Sequence, residues 1–488
     1  MMSTSAGKSG RYLLPYGGAL LLAVVVGAVV PYSERFGGDN GPYMLLGILL
    51  SIAAAGAILL QWRIGALLLA AALPFESTVN FGAVASGIKA LALLTFVSFA
   101  LALLTDRKLF ERFARLWQHP LTLAVFAFVF WILASYLWAL DKGRALDAAV
   151  TFVGLFGLMV VIGSLERRFL VLAWACLAFS AGLSVPAGYI LPAPEGSDIM
   201  VSGRFGPGGA GPNSYSCLVA IAFFVAYFGL LRQHRMIAYL MAPVFLYGII
   251  ATGSRTGLIA LAATPLLALV VPGLATRLGW RILPLYGLAA TTLVVVGLAV
   301  PSVAQIALER FTTLSQVESE DTWNGRWSLW QGALDVISSH PILGVGAGNF
   351  AEAARDFSES SQAHIAQKGQ VIGVAHNIFL GVASQLGLVG LILFLAVLFF
   401  AFKAAVPMAP RSGLAASILL GLIVSMIAGM TLSWESEKIV YVLFGSVLAL
   451  QLHDSAQDAS SPSSRRATAA KDVARTSRPR RRGRANGV

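Results

Sequence analysis

The chain has 488 residues, of which 57% are hydrophobic and only 12% charged, with a formal net charge of +12; its mean hydropathy is +0.77. Soluble domains carry about 25% charged residues, so too little polar surface is present to cover a water-soluble globule. Disorder, collagen-like repeats and a disulfide scaffold are excluded as descriptions of the whole.

Apolar runs of about 20 residues recur along most of the sequence. The strict alternation of an outer-membrane barrel is absent, so the spans read as helices. The expected fold is an all-α polytopic integral membrane protein with about 12–14 transmembrane helices and one large periplasmic helical loop. In chain order, residues 1–12 form a cytoplasmic N-terminus. Leu13 to Val30 follows a few basic residues but lacks a convincing small-residue cleavage site, and reads as a first helix rather than a signal peptide. Fourteen segments are expected: 13–31, 43–60, 64–74, 88–104, 120–140, 148–165, 169–191, 214–231, 236–252, 257–271, 282–300, 377–402, 413–433 and 438–452. The third is short and runs into Pro74, which suits a re-entrant or broken helix. The organisation is thus 13–300 N-terminal membrane helices, 301–376 a large outward loop, 377–452 C-terminal membrane helices, and 453–488 a disordered basic cytoplasmic tail.

The positive-inside rule supports this layout. With the N-terminus inside, the inward segments hold 24 basic and 6 acidic residues and the outward ones 11 and 17, which accounts for the net +12. The basic balance is therefore a topology signal and not a nucleic-acid signal. The tail suits contact with anionic lipid. Cys176 and Cys217 lie in or beside apolar runs without a motif, and the six histidines show no metal-ligand spacing. Neither a metal nor a cofactor is expected.

Residues 301–375 form a long outward stretch, and loops of that length are usually functional. Within it, 301–317 and 322–339 have helical patterning. Trp323, Trp327 and Trp330 fall on one stripe, which either packs on the bundle or lies at headgroup level. Four residues stand out at segment ends on the outward side. Arg255, in Thr252-Gly-Ser-Arg-Thr-Gly257, is either a snorkelling cap or an anion clamp. Arg326 opens the amphipathic helix of the long loop; it is either solvated or a bidentate phosphate contact. His376 stands where the long loop enters an apolar span, with Asn377 beside it to cap the helix or orient the ring. Arg204 precedes a segment rich in glycine and proline that ends at Asn213, either a connector or a cavity rim. Residues 343–350 resemble a phosphate loop only weakly, because no strand precedes them and no Lys-Ser/Thr follows. Taken together, three arginines and one histidine on one membrane face suit a lipid-linked diphosphate. Cations would hold the leaving pyrophosphate while a base deprotonates an incoming hydroxyl.

The motifs Thr252-Gly-Ser-Arg-Thr-Gly257, Gly325-Arg-Trp-Ser-Leu-Trp330, His340-Pro-Ile-Leu-Gly-Val-Gly-Ala-Gly-Asn-Phe350, His376-Asn-Ile-Phe-Leu380 and Gly387-Leu-Val-Gly390 resemble the O-antigen ligase/polymerase superfamily in order and spacing. The resemblance covers residues 200 to 450. It implies an inverting, metal-independent glycosyltransferase of the bacterial inner membrane, active at the periplasmic face. Its donor would be an undecaprenyl-diphosphate-linked glycan. Its acceptor would be a lipid A–core sugar in lipopolysaccharide assembly, or another glycan chain in a polymerase. By the same resemblance Arg255 and Arg326 bind diphosphate, Arg204 matches a less constant part of the pattern, and His376 is the catalytic residue that activates the acceptor. Asn377, Asn213 and Glu435 are candidates for acceptor contact or orientation. Fourteen spans would exceed the twelve typical of ligases. One dominant outward loop favours a ligase; a surface-polysaccharide polymerase is the alternative within the superfamily. A lipid-linked glycan flippase is the alternative of another class, although nearly all charges lie at segment ends and no paired broken helices are evident.

Overall fold

The computed structural model describes residues 41–77, 87–190, 205–299, 305, 321–358, 361–362 and 373–460. Among these no β-strand occurs, and thirteen of the fourteen expected segments coincide with helices. The remaining one, 13–31, lies outside the described residues, as do the patterned segment 301–317 apart from residue 305, and the tail beyond 460.

The helices are α1 (Gly41–Leu60), α2 (Trp62–Ala72), α3 (Gly87–Thr105), α4 (Arg107–Leu116), α5 (Pro120–Ser135), α6 (Lys142–Gly163), α7 (Arg167–Ile190), α8 (Pro212–Phe224), α9 (Arg235–Ala251), α10 (Arg255–Ala268), α11 (Leu274–Leu278), α12 (Ile282–Ala299), α13 (Asp321–Ser339), α14 (Phe350–Phe357), α15 (Ile378–Met408), α16 (Gly413–Gly429) and α17 (Lys438–Ser460). Polar residues just outside the apolar runs set where several begin. Asp106, Asp141, Ser254, Asn377 and Ser412 each accept backbone N–H bonds from the first turn of the following helix.

Among the described residues, six helical stretches are long and apolar enough to cross a bilayer: Gly87–Thr105, Lys142–Gly163, Arg167–Ile190, Pro212–Leu230, Leu274–Ala299 and Ile378–Met408. A seventh arises if α4 and α5, bent by 75°, act as one. The expected count of 12–14 thus includes shorter helices such as α9, α10 and α16. At 14 residues, α10 spans roughly 21 Å, less than the hydrocarbon thickness of about 30 Å. The run feeding it is interrupted by the turn at Thr252-Gly253-Ser254, where Gly253 has φ 59°. α2 is shorter still and almost wholly buried, so it is an interior half-helix. It packs on α7 and α3, and its Gly65 lies so close to Thr95 that a Cβ would sit 2.3 Å from the threonine hydroxyl.

A single apolar core runs through the bundle. α17 packs along α6, α15 along α5, and α10 along α8 and α16. α13 and α14 stand apart from it and carry a small core of their own. Ala333, Phe350, Ala354 and Ala375 are buried there, with Leu329 and Leu380 against them. That core docks α13 on the first turn of α15.

α15 is broken at Gly387, which has φ 68° and ψ −170°. The break frees backbone groups that an uninterrupted helix would pair, and residues 341–346 take them up. Leu388 and Val389 donate to the carbonyls of Pro341 and Ile342 (2.8 and 3.4 Å), and Val345 and Gly346 donate to those of Ser384 and Gln385 (3.3 and 2.9 Å). Trp131 Nε1 donates to the Leu386 carbonyl at 3.0 Å. On its other side the same loop is held by buried Asn349, which donates to the Asp141 carbonyl and accepts from the Asp141 N–H. Glu352 pairs with Arg144 at 2.7 Å. α13 and α14 are therefore fastened to both α6 and α15.

Candidate active site at the helix mouths

Ser254 caps α10 by accepting from Gly257 N–H, and Thr252 Oγ1 accepts from Ser254 N–H, so the tight turn sets Arg255 at the first position of α10. Gly257 is required next to it, since a Cβ there would meet Ser216 of α8 at 2.3 Å. One residue on, Thr256 Oγ1 lies 2.8 Å from Thr431 Oγ1, which joins the mouth of α10 to the 430–437 loop. Asn377 joins α15 to the same loop. Its side-chain oxygen caps Phe379 and Leu380, and its amide donates to the Met430 carbonyl at 3.3 Å. Ser214, at the start of α8, hydrogen-bonds Glu437. The beginnings of α8, α10 and α15 thus meet around residues 430–437, and α13 caps the group.

Within this mouth, Arg255, Arg326 and His376 are all half-buried. Arg326 lies close enough to Arg255 for the charge of one to act on the other. Burial, and then that neighbouring cation, lower the pKa of Arg326. Arg326 in turn acts on His376. Burial first, and the Arg326 charge second, hold the His376 imidazole below the ordinary histidine range of 6.5. Its neutral form therefore prevails at neutral pH, and Nδ1 is buried without a hydrogen-bond partner among the described residues. His376 is also the non-glycine residue with positive φ (49°) among those described. Such a backbone costs about 1–3 kcal/mol and persists where the surroundings over-determine it. Here the Asn377 cap and the buried Ala375 fix the chain on either side.

Glu435 faces the same mouth. A Cβ added at Gly381, one turn into α15, would lie 3.7 Å from Glu435 Oε1 and 3.9 Å from Ala375 Cβ. Burial pushes the Glu435 carboxyl up to about 7, and its Oε2 lacks a partner among the described residues. Beside it a small apolar void of about 20 Å³ lies between α5, α15, α16 and α17, lined by Phe128, Ile378, Phe394, Val397 and Tyr441 among others.

Of the other expected residues, Asn213 lies at the start of α8, its carbonyl accepting from Ser216 Oγ at 2.8 Å. Arg204 lies outside the described residues. The residue after it, Phe205, donates from its backbone to the Ala251 carbonyl, just ahead of the Arg255 turn. Of the tryptophan stripe, Trp327 is exposed and Trp330 half-buried; the side chain of Trp323 is outside the described set. The glycine-rich segment 343–350 is a packing wedge and not a phosphate cradle. Its Gly344, Gly346 and Gly348 all have positive φ, and a Cβ at each would strike Gln385, Ala139 or the Arg144 backbone. Its amides are spent inside the protein, on Ser384, Gln385 and Ser135. Thr256, Thr431 and Gln385 escape a sequence reading, since single polar residues in apolar surroundings carry no spacing signal.

Residues 238–395 match the family model described as O-antigen ligase. The match takes in Arg255, Arg326, His376 and Asn377 and leaves Arg204, Asn213 and Glu435 outside it. No curated protein matches the chain.

Proposed function

We propose, from the match of residues 238–395 to the O-antigen ligase family model and from the geometry of the mouth, that the protein transfers glycan from an undecaprenyl-diphosphate carrier to an acceptor sugar hydroxyl at the periplasmic face of the inner membrane. The observation that carries this reading is the convergence of Arg255, Arg326 and His376, from three separate elements, at one mouth of the bundle.

Two guanidinium groups within range of each other favour an anion between them, and a diphosphate offers several oxygens to each fork. As the bond from the sugar to the diphosphate breaks, negative charge grows on the leaving group, where fixed cations stabilise it most. Neutral His376 accepts the proton of the incoming hydroxyl, whose oxygen attacks the anomeric carbon from the face opposite the diphosphate and inverts it. No metal is needed if the arginines neutralise the leaving group. Arg204 is a further diphosphate contact on this proposal. Glu435, Asn377 and Asn213 would orient the acceptor, Glu435 as a group able to donate or accept near neutral pH.

A ligase is favoured over a polymerase because residues 301–376 are the dominant outward segment. The glycans of a strain lacking this protein decide between them. A ligase predicts lipopolysaccharide without its long glycan while lipid-linked polymer accumulates. Collapse of polymer length with accumulation of single repeat units would instead assign a polymerase. Unchanged surface and lipid-linked glycans would refute both.

A further inference from the structure

At the opposite end of α10 from Arg255, the chain turns through α11 into α12, and there Arg281 carries a guanidinium whose Nε, Nη1 and Nη2 are all buried without a hydrogen-bond partner among the described residues. The group lies over the ring of Tyr227 at 4.8 Å and that of Phe228 at 5.9 Å. Tyr227 Oη donates to the Arg281 carbonyl at 3.1 Å, so this stack is fixed. After burial, the groups that act on Arg281 are Tyr227 and Tyr239 and then the cations Arg232 and Arg235, so no carboxylate is among them. Arg232 also acts on Arg277. Arg277 donates from Nη2 to the Arg411 carbonyl at 2.7 Å, while its Nε is buried without a partner among the described residues. Asp454, an acidic group on this side, is taken by the Arg411 guanidinium at 3.1 Å.

Four arginines from two separate turns thus lie within electrostatic range of one another, and Arg281 Nε, Nη1 and Nη2 and Arg277 Nε meet no acceptor among the described residues. Aromatic faces offset part of the cost of desolvating Arg281 but satisfy none of its N–H groups. We propose that this cluster is a binding site for a phosphate group, with Arg281 and Arg277 as the inner donors and Arg232 and Arg235 as the outer charges. An anionic phospholipid headgroup is one source. Trp280 beside it is 84% exposed, as an interfacial anchor would be, and Leu283 and Ile237 expose apolar surface on α12 and α9 where acyl chains would run. Free phosphate is the other source. The site is remote from the mouth and does not depend on the glycan-transfer reading.

Full-length protein in neutral detergent tests this, titrated separately with phosphatidylglycerol, phosphatidylcholine and inorganic phosphate while thermal unfolding and retained lipid (by native mass spectrometry) are followed. Saturable stabilisation by phosphatidylglycerol, absent with phosphatidylcholine, is expected. Arg281→Gln should weaken it about fivefold, and Arg277→Gln similarly. A response to phosphatidylglycerol alone identifies a lipid headgroup; an equal response to inorganic phosphate identifies a free anion. With phosphatidylcholine alone Arg281→Gln should unfold no earlier than the parent protein, because it removes an unpaired buried charge, and this keeps the comparison readable. The proposal fails if neither anion stabilises the protein, or if both variants bind phosphatidylglycerol as the parent protein does.

Discussion

His376 joins three properties: a strained backbone, a place beside Arg326, and an imidazole kept neutral by burial. Because its pKa is depressed in the fold, its proton-accepting form persists down to pH values below 6.5. Transfer rates should therefore hold across neutral pH and fall only as pH drops through that lowered value; a rate–pH profile checks this. His376→Ala should lower transfer by at least about 100-fold, the usual scale for a lost general base, while donor binding survives. Arg255→Lys keeps the charge but loses the fork, and should lower transfer by about tenfold or more; a snorkelling cap would tolerate it. Glu435 carries the opposite sign. Its raised pKa favours the fold below the ordinary carboxyl value of 4.5, and that contribution is lost as pH rises through about 7. Glu435→Gln should therefore raise the unfolding temperature at pH 8 more than at pH 5.

At the scale of elements, the broken helix α15 holds the mouth together. Gly387 admits the Ile342 carbonyl so closely that a Cβ would lie 2.1 Å from it, and its φ of 68° disfavours any side chain. Gly387→Ala should cost at least about 2 kcal/mol in thermal unfolding and loosen α13, with faster proteolysis near residue 340 as the second readout. The apolar runs made the helices legible and Asn377 read as a cap, but the caps Asp106, Asp141 and Ser254 start helices at 107, 142 and 255, ahead of where hydropathy alone places them, because the first turns there are polar. Arg255, Arg326 and His376 were legible as segment-end charges in familiar motifs. What hydropathy could not express was the use of the glycines at 344, 346 and 348. Their motif resembles an anion loop, yet its amides turn inward to stitch a helix break that only long-range pairing creates. The same limit explains Arg232, Arg235, Arg277 and Arg281, which read as two basic loops until packing brings them together.

For the whole molecule, the distribution of charge along the chain and the placement of the mouth are consistent with one another. The arginine and histidine group lies at one end of α10 and the basic cluster at the other, so the two sites are separated by the length of that helix. Removing residues 461–488 should leave transfer unchanged per inserted molecule, since no described part of the mouth depends on them; inactivity with normal insertion would give the tail a further role. The most direct measurement reconstitutes purified protein in sealed vesicles with a polyprenyl-diphosphate-linked glycan and an acceptor glycolipid, and follows formation of the new glycosidic bond. The parent protein should make it and His376→Ala should not, though both retain the donor. A bond formed equally well by His376→Ala, or donor crossing the bilayer with no bond formed by the parent protein, would contradict the account.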